Sequence, residues 1–97
     1  MLKTAREDAS YDRNRDLPRL LMLWPDEVRT LTMRDQPRLI DRLARALRAE
    51  RQRGHARHWS YDLSRHAALL RAYRAEKQAW EEHLLQSARR RLPAGAG

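Results

Sequence analysis

The chain has 97 residues, a formal net charge of +8, and neither cysteine nor phenylalanine. A single domain of this size buries only about 60–65% of its unfolded surface, and the missing cysteine excludes disulfides, thiolate zinc sites and sulfur redox chemistry. No segment approaches the roughly 18 apolar residues of a membrane span, and Met1 to Asp16 has no apolar run of the kind a secretory leader needs, so a soluble, cytoplasmic protein without membrane contact is expected.

Residues 1–16 balance four basic against four acidic side chains without periodicity, the pattern of a mobile N-terminal arm. Asp16-Leu17-Pro18 reads as an N-cap with proline in the first turn, after which Leu17, Leu20, Leu21 and Trp24 share one helical face. Pro25 disfavours helical geometry at Trp24 and closes this first helix. Pro25-Asp26-Glu27-Val28 starts another, with two acids beside the helix dipole, and Gln36-Pro37 starts a third.

From Pro37 to Arg53, Leu39, Ile40, Leu43 and Leu47 fall within an arc of about 100°, with Arg38, Arg42, Arg45 and Arg53 on the other side. Residues 37–58 hold seven arginines against Asp41 and Glu50, so the excess positive charge begins here. Gly54 is the expected C′ residue, in the left-handed conformation. A last helix is predicted from Ser60, with Asp62 in its first turn, to about Arg91, roughly 30 residues or 45 Å. Along it Leu63, His66, Leu70, Tyr73, Lys77, Trp80 and Leu84 alternate by three and four, a coiled-coil seam that Leu69 and Leu85 widen. A helix nearly twice as long as its neighbour leaves apolar surface uncovered, which predicts self-association or a partner helix. Residues 17–92 therefore read as one all-α domain, short N-terminal helices followed by an antiparallel helical hairpin with a long second helix, and 93–97 as a flexible tail after Pro93.

The stretch Arg48 to His66 contains three of the four histidines. His58, Asp62 and His66 would share a face only if the last helix reached back to His58; a start at Ser60 breaks that register, and turn and seam roles are expected instead, with no metal and no cofactor. No serine has a nucleophile elbow with a base, the carboxylates alternate with arginines as solvated ion pairs, and no glycine-rich phosphate loop is present, so no enzyme activity is expected. The segment Pro25 to Arg53 has the length of a helix-turn-helix but lacks the usual turn glycine. Salt-dependent phosphate contact along Arg38, Arg42, Arg45, Arg48, Arg53 and Arg57 is the more general expectation, weighed against a face that merely keeps the chain solvated. Trp59, Tyr61, Tyr73 and Trp80 are expected to pack rather than stack on bases, with Leu63, Leu70, Tyr73, Trp80 and Leu84 as an oligomer interface anchored by Trp80.

This layout of short N-terminal helices, a hairpin with a long second helix and the basic tail after Ser87 resembles the small terminase subunits of tailed phages and gene transfer agents. The resemblance implies a non-enzymatic, ring-forming component of DNA packaging. Leu70, Tyr73, Trp80 and Leu84 would match the oligomerising hairpin, the Arg38 to Arg53 row the DNA contact, and Ser87 to Gly97 the segment that engages a large motor subunit. The first segment is shorter than a DNA-binding domain of that family. The alternative is a small regulatory module whose long helix docks on one protein partner without nucleic acid.

Overall fold

The computed structural model describes residues 10–91. They form four helices and, among the described residues, no strand: α1 (Arg13–Leu21), α2 (Pro25–Arg29), α3 (Gln36–His55) and α4 (Leu63–Arg91). α3 and α4 make the expected antiparallel hairpin, and α1 with α2 lies across one of its faces. The core is leucine-rich, as a chain without phenylalanine requires: Leu17, Leu20 and Leu21 from α1, Val28 from α2, Leu39, Leu43 and Leu47 from α3, and Leu69 with Ala72 from α4. At about 25 cal/mol per Å² of apolar surface, these side chains supply most of the driving force for packing α1 onto the hairpin.

Several boundaries differ from the sequence reading. α1 starts at Arg13, earlier than expected, because Asp12 rather than Asp16 caps it by accepting from the backbone N–H groups of Asn14 and Arg15. Asp16 is instead a buried residue of the first turn. Pro18 sits inside the helix, tolerated because the helix is short and Asp12 and Asp16 hold its start. The part of the expected arm from Ser10 to Asp16 is therefore structured; residues 1–9, like the tail 93–97, lie outside the described residues. Met22 ends α1 in a left-handed conformation (φ 55°), which turns the chain and leaves Trp24 exposed rather than on the apolar face of α1. Glu27 then accepts from the Trp24 backbone N–H at 2.8 Å, so the start of α2 is held by its own third residue.

The corner between α3 and α4 is also built differently. Gly54 is helical, and its lack of a Cβ matters for another reason: one added there would lie 2.9 Å from Cε1 of Tyr61, whose ring covers it. The left-handed residue is Arg57 (φ 53°). His58 N–H donates to the Arg53 carbonyl at 2.9 Å and Arg57 N–H to the Gly54 carbonyl at 3.1 Å, the paired bonds of a Schellman ending with arginine where glycine is usual. Arg57→Gly should therefore raise stability by roughly 0.5–1 kcal/mol, read as a higher thermal midpoint by circular dichroism; a lower midpoint would mean the arginine side chain contributes more than its backbone strain costs.

Ser60 does not start α4. Its hydroxyl lies 2.7 Å from Nδ1 of His58, and the cap comes from Asp62, which accepts from the Arg65 backbone N–H at 3.1 Å. The stripe of α4 that reaches the core is Leu69, Ala72 and Glu76, one flank away from the expected seam. A buried glutamate is what moved it, since a carboxylate was read as a solvent residue.

Candidate interaction surfaces

The arginine row of α3 is mostly engaged within the molecule. Arg42 donates from Nη2 to the Leu21 carbonyl at 3.2 Å, and Arg65, across the groove on α4, donates to the Leu20 carbonyl at 3.0 Å. Two cations thus meet the negative end of the α1 dipole and satisfy carbonyls that the helix leaves open. Arg45 pairs with Asp41 at 2.8 Å and Arg53 with Glu50 at 2.7 Å. Of the six arginines expected to meet phosphate, Arg38, Arg48 and Arg57 are exposed, and their side chains make no hydrogen bond or ion pair among the described residues. They do not form one row: Arg38 borders the hollow between α2 and α3, Arg48 faces Tyr73 on the far flank of α3, and Arg57 is in the corner. In a helix-turn-helix the first turn of the second helix enters the groove; here Gln36, the first residue of α3, is 1% exposed and held under α4.

What holds it is a buried polar cluster that the sequence did not announce. Glu76, 3% exposed, accepts from Tyr11 Oη (2.6 Å), Arg13 Nε (3.0 Å), Arg13 Nη2 (2.6 Å) and Gln36 Nε2 (2.7 Å). Gln36 Nε2 also donates to the Glu76 carbonyl, while Gln36 Oε1 accepts from Arg13. Every polar group in the cluster has a partner, as burial requires. Burial alone would push the Glu76 carboxyl up; the bonds from Arg13, Tyr11 and Gln36 outweigh it and hold the group below the ordinary carboxylate range. Burial, then the bond to Glu76, pushes the Tyr11 hydroxyl well above its ordinary value. Tyr11 just before α1 and Arg13 at its start were the only sequence signal, hidden by the even charge balance of residues 1–16.

A second buried carboxylate closes the corner. Glu50, 1% exposed, accepts from Arg53 at 2.7 Å and from the Asp62 backbone N–H at 3.0 Å, with Arg65 Nε 3.5 Å away. The Arg53 bond, opposed by burial and helped by Asp62, keeps its carboxyl below the ordinary range. The histidines of the stretch Arg48 to His66 belong to the same corner as turn and packing residues: His58 accepts at Nδ1 from the Ser60 backbone N–H, and His66 Nδ1 meets Tyr61 Oη at 3.0 Å. Because α4 starts at Leu63, His58 is out of register with Asp62 and His66. No group of three His, Asp or Glu side chains able to hold a metal occurs among the described residues.

The residues expected at an oligomer interface divide. Leu70 and Tyr73 are half-buried against the hairpin core, and Leu63 is 70% exposed at the corner. Trp80 is half-buried, stacked on His83 at 5.5 Å, and Leu84 and Leu85 are exposed. Since Glu76 is level with the first residue of α3, the 15 residues from Lys77 to Arg91 run on for about 22 Å. None of the buried residues lies in this projecting part. Among the described residues no helix is long and apolar enough to cross a membrane. Comparison of the chain with known family models, curated proteins and solved structures finds no match.

Proposed function

We propose that the protein is a non-enzymatic helical adaptor that self-associates through the projecting part of α4. The single observation that carries this reading is the projection itself: about 22 Å of helix past Glu76 with Trp80, Leu84 and Leu85 along it. A helix of that length that carries apolar side chains and, among the described residues, buries none of them is an interface in waiting, because monomeric proteins seldom leave such surface open. A DNA-packaging role in the manner of small terminases is the specific form of this proposal, with the basic end from Ser87 onward offered to a large motor subunit. Its DNA contact is the weaker half, since Arg42, Arg45 and Arg53 are already bound within the chain.

Multi-angle light scattering at micromolar concentration tests the adaptor reading. The wild-type chain should elute as a defined oligomer, and Trp80→Ala with Leu84→Ala should return it to monomer while circular dichroism shows the fold intact. A wild-type protein that stays monomeric sinks self-association.

A further inference from the structure

The hairpin has two faces. On one, α1 packs over Arg42 and Ala46 of α3 and over Arg65 and Ala68 of α4. The wheel positions of Ala44, Arg48 and Arg51 place them on the opposite flank of α3, and those of Leu70, Tyr73 and Lys77 on the opposite flank of α4. These two flanks meet: Ala44, Leu47, Arg48, Arg51 and Tyr73 line one depression of about 190 Å³. Its apolar lining is Leu47, buried, with Ala44 and Tyr73 half-buried, and half-buried Ile40 and Leu70 lie one turn from Ala44 and Tyr73 along their helices. Its edges are cationic. Arg48 and Arg51 stand on the α3 side, and on the α4 side Lys77 holds its ammonium 5.6 Å from the centre of the Tyr73 ring.

Among the described residues these cations have no carboxylate partner, whereas Arg45 pairs with Asp41 and Arg53 with Glu50. Asp41, at the edge of the α3 flank, is taken by Arg45, and Glu76 is buried. We propose that this open face of the hairpin is a docking groove for an acidic amphipathic helix of a partner protein, its apolar residues over Leu70 and Tyr73 and its carboxylates against Arg48, Arg51 and Lys77. Helix-in-groove recognition needs an apolar trough with polar edges, and charge complementarity then selects the partner. A second copy of the chain is disfavoured here, because an isologous contact would set this cationic face against an identical cationic face. Duplex DNA is disfavoured by the floor, since a phosphate backbone makes no use of a leucine–tyrosine trough between the cations.

The inference rests on the adaptor reading and names a partner chemistry for it, yet the two fail separately: loss of self-association through Trp80 leaves this groove unchanged. The test is a titration of the isotope-labelled full chain with a synthetic amphipathic peptide of about five helical turns, leucine on one face and glutamate on the other. The amides of residues 40–51 and 70–77 should shift. Arg48→Glu with Arg51→Glu, both exposed and safe for the fold, should weaken binding about tenfold or more, while Arg38→Glu with Arg45→Glu should change it by less than about twofold. Affinity that is unchanged in the Arg48/Arg51 variant overturns the proposal. So does binding of a lysine-faced peptide or of duplex DNA at these residues when the glutamate peptide is silent, and so does a dimer that Leu70→Glu dissolves.

Discussion

Glu76→Ala is expected to lower the unfolding free energy by about 3–5 kcal/mol, as much as truncating a fully buried leucine of the core. The carboxylate is the acceptor on which Tyr11, Arg13 and Gln36 converge, so its removal leaves Tyr11 Oη and Arg13 Nε without an acceptor, with Gln36 kept only by the backbone carbonyl of residue 76 and Arg13 only by the Gln36 amide oxygen. The cost of those unpaired donors exceeds the small cavity left behind. Thermal unfolding followed by circular dichroism reads the effect, and a loss under about 1 kcal/mol would mean that water replaces the carboxylate. Replacing Tyr11, Arg13, Gln36 and Glu76 together by Phe, Met, Leu and Leu should recover most of the stability, since a buried ion pair is seldom worth more than a well-packed apolar substitute. The same cluster sets the pH response. Glu76 and Glu50, with ordinary values of 4.5, and Asp16, lowered from 3.8 to about 2, all ionise at lower pH in the folded chain than in the unfolded one. The unfolded chain therefore takes up protons first, and the stability these groups supply is complete above their ordinary values and lost as pH falls through 4.5 toward 2. Tyr11 acts at the other end: its hydroxyl is raised from 10.0, the unfolded chain gives up that proton first, and stability declines as pH rises above 10.0.

Glu50→Ala is expected to cost about 2–4 kcal/mol, with a second consequence in shape. Glu50 joins the end of α3 through Arg53 to the backbone of Asp62, just before α4 begins. Without it the Asp62 N–H has no acceptor, Arg65 keeps only the Leu20 carbonyl, and the angle between the two long helices loses its brace. Amide exchange should therefore rise at the corner, residues 56–65, more than along α3. Uniform exchange across the hairpin would mean the corner is held by the Tyr61 ring over Gly54 instead.

The contrast between these carboxylates and the arginine row explains what the sequence made legible. The four helices follow from Pro25, Pro37 and the three-four spacing of Leu39, Leu43 and Leu47, because proline and periodicity act locally. The helix starts at Arg13 and Leu63 were missed by a few residues, since several nearby aspartates and serines are equally good caps and only the tertiary structure chooses among them. The row at Arg38, Arg42, Arg45 and Arg53 was legible as a charged flank, but not its use: that Arg42 meets the end of α1 depends on α1 lying across the hairpin. Glu50 and Glu76 were invisible for the opposite reason. A glutamate amid arginines is ordinarily a surface residue, and only partners from distant segments, Tyr11 and Arg13 among them, make its burial affordable.

The bond between Gln36 and Glu76 also works as a ruler. Sliding α4 along α3 by one turn, about 5.4 Å, would bring Tyr73 or Trp80 opposite Gln36 and leave the amide and the carboxylate unpaired, whereas the leucines of the core would find other leucines to touch. Apolar contacts tolerate that slip; the polar pair does not. The distance by which α4 reaches out, and hence where Trp80 is presented to anything that meets it, is set by one buried amide-to-carboxylate contact at the far end of the hairpin from its turn.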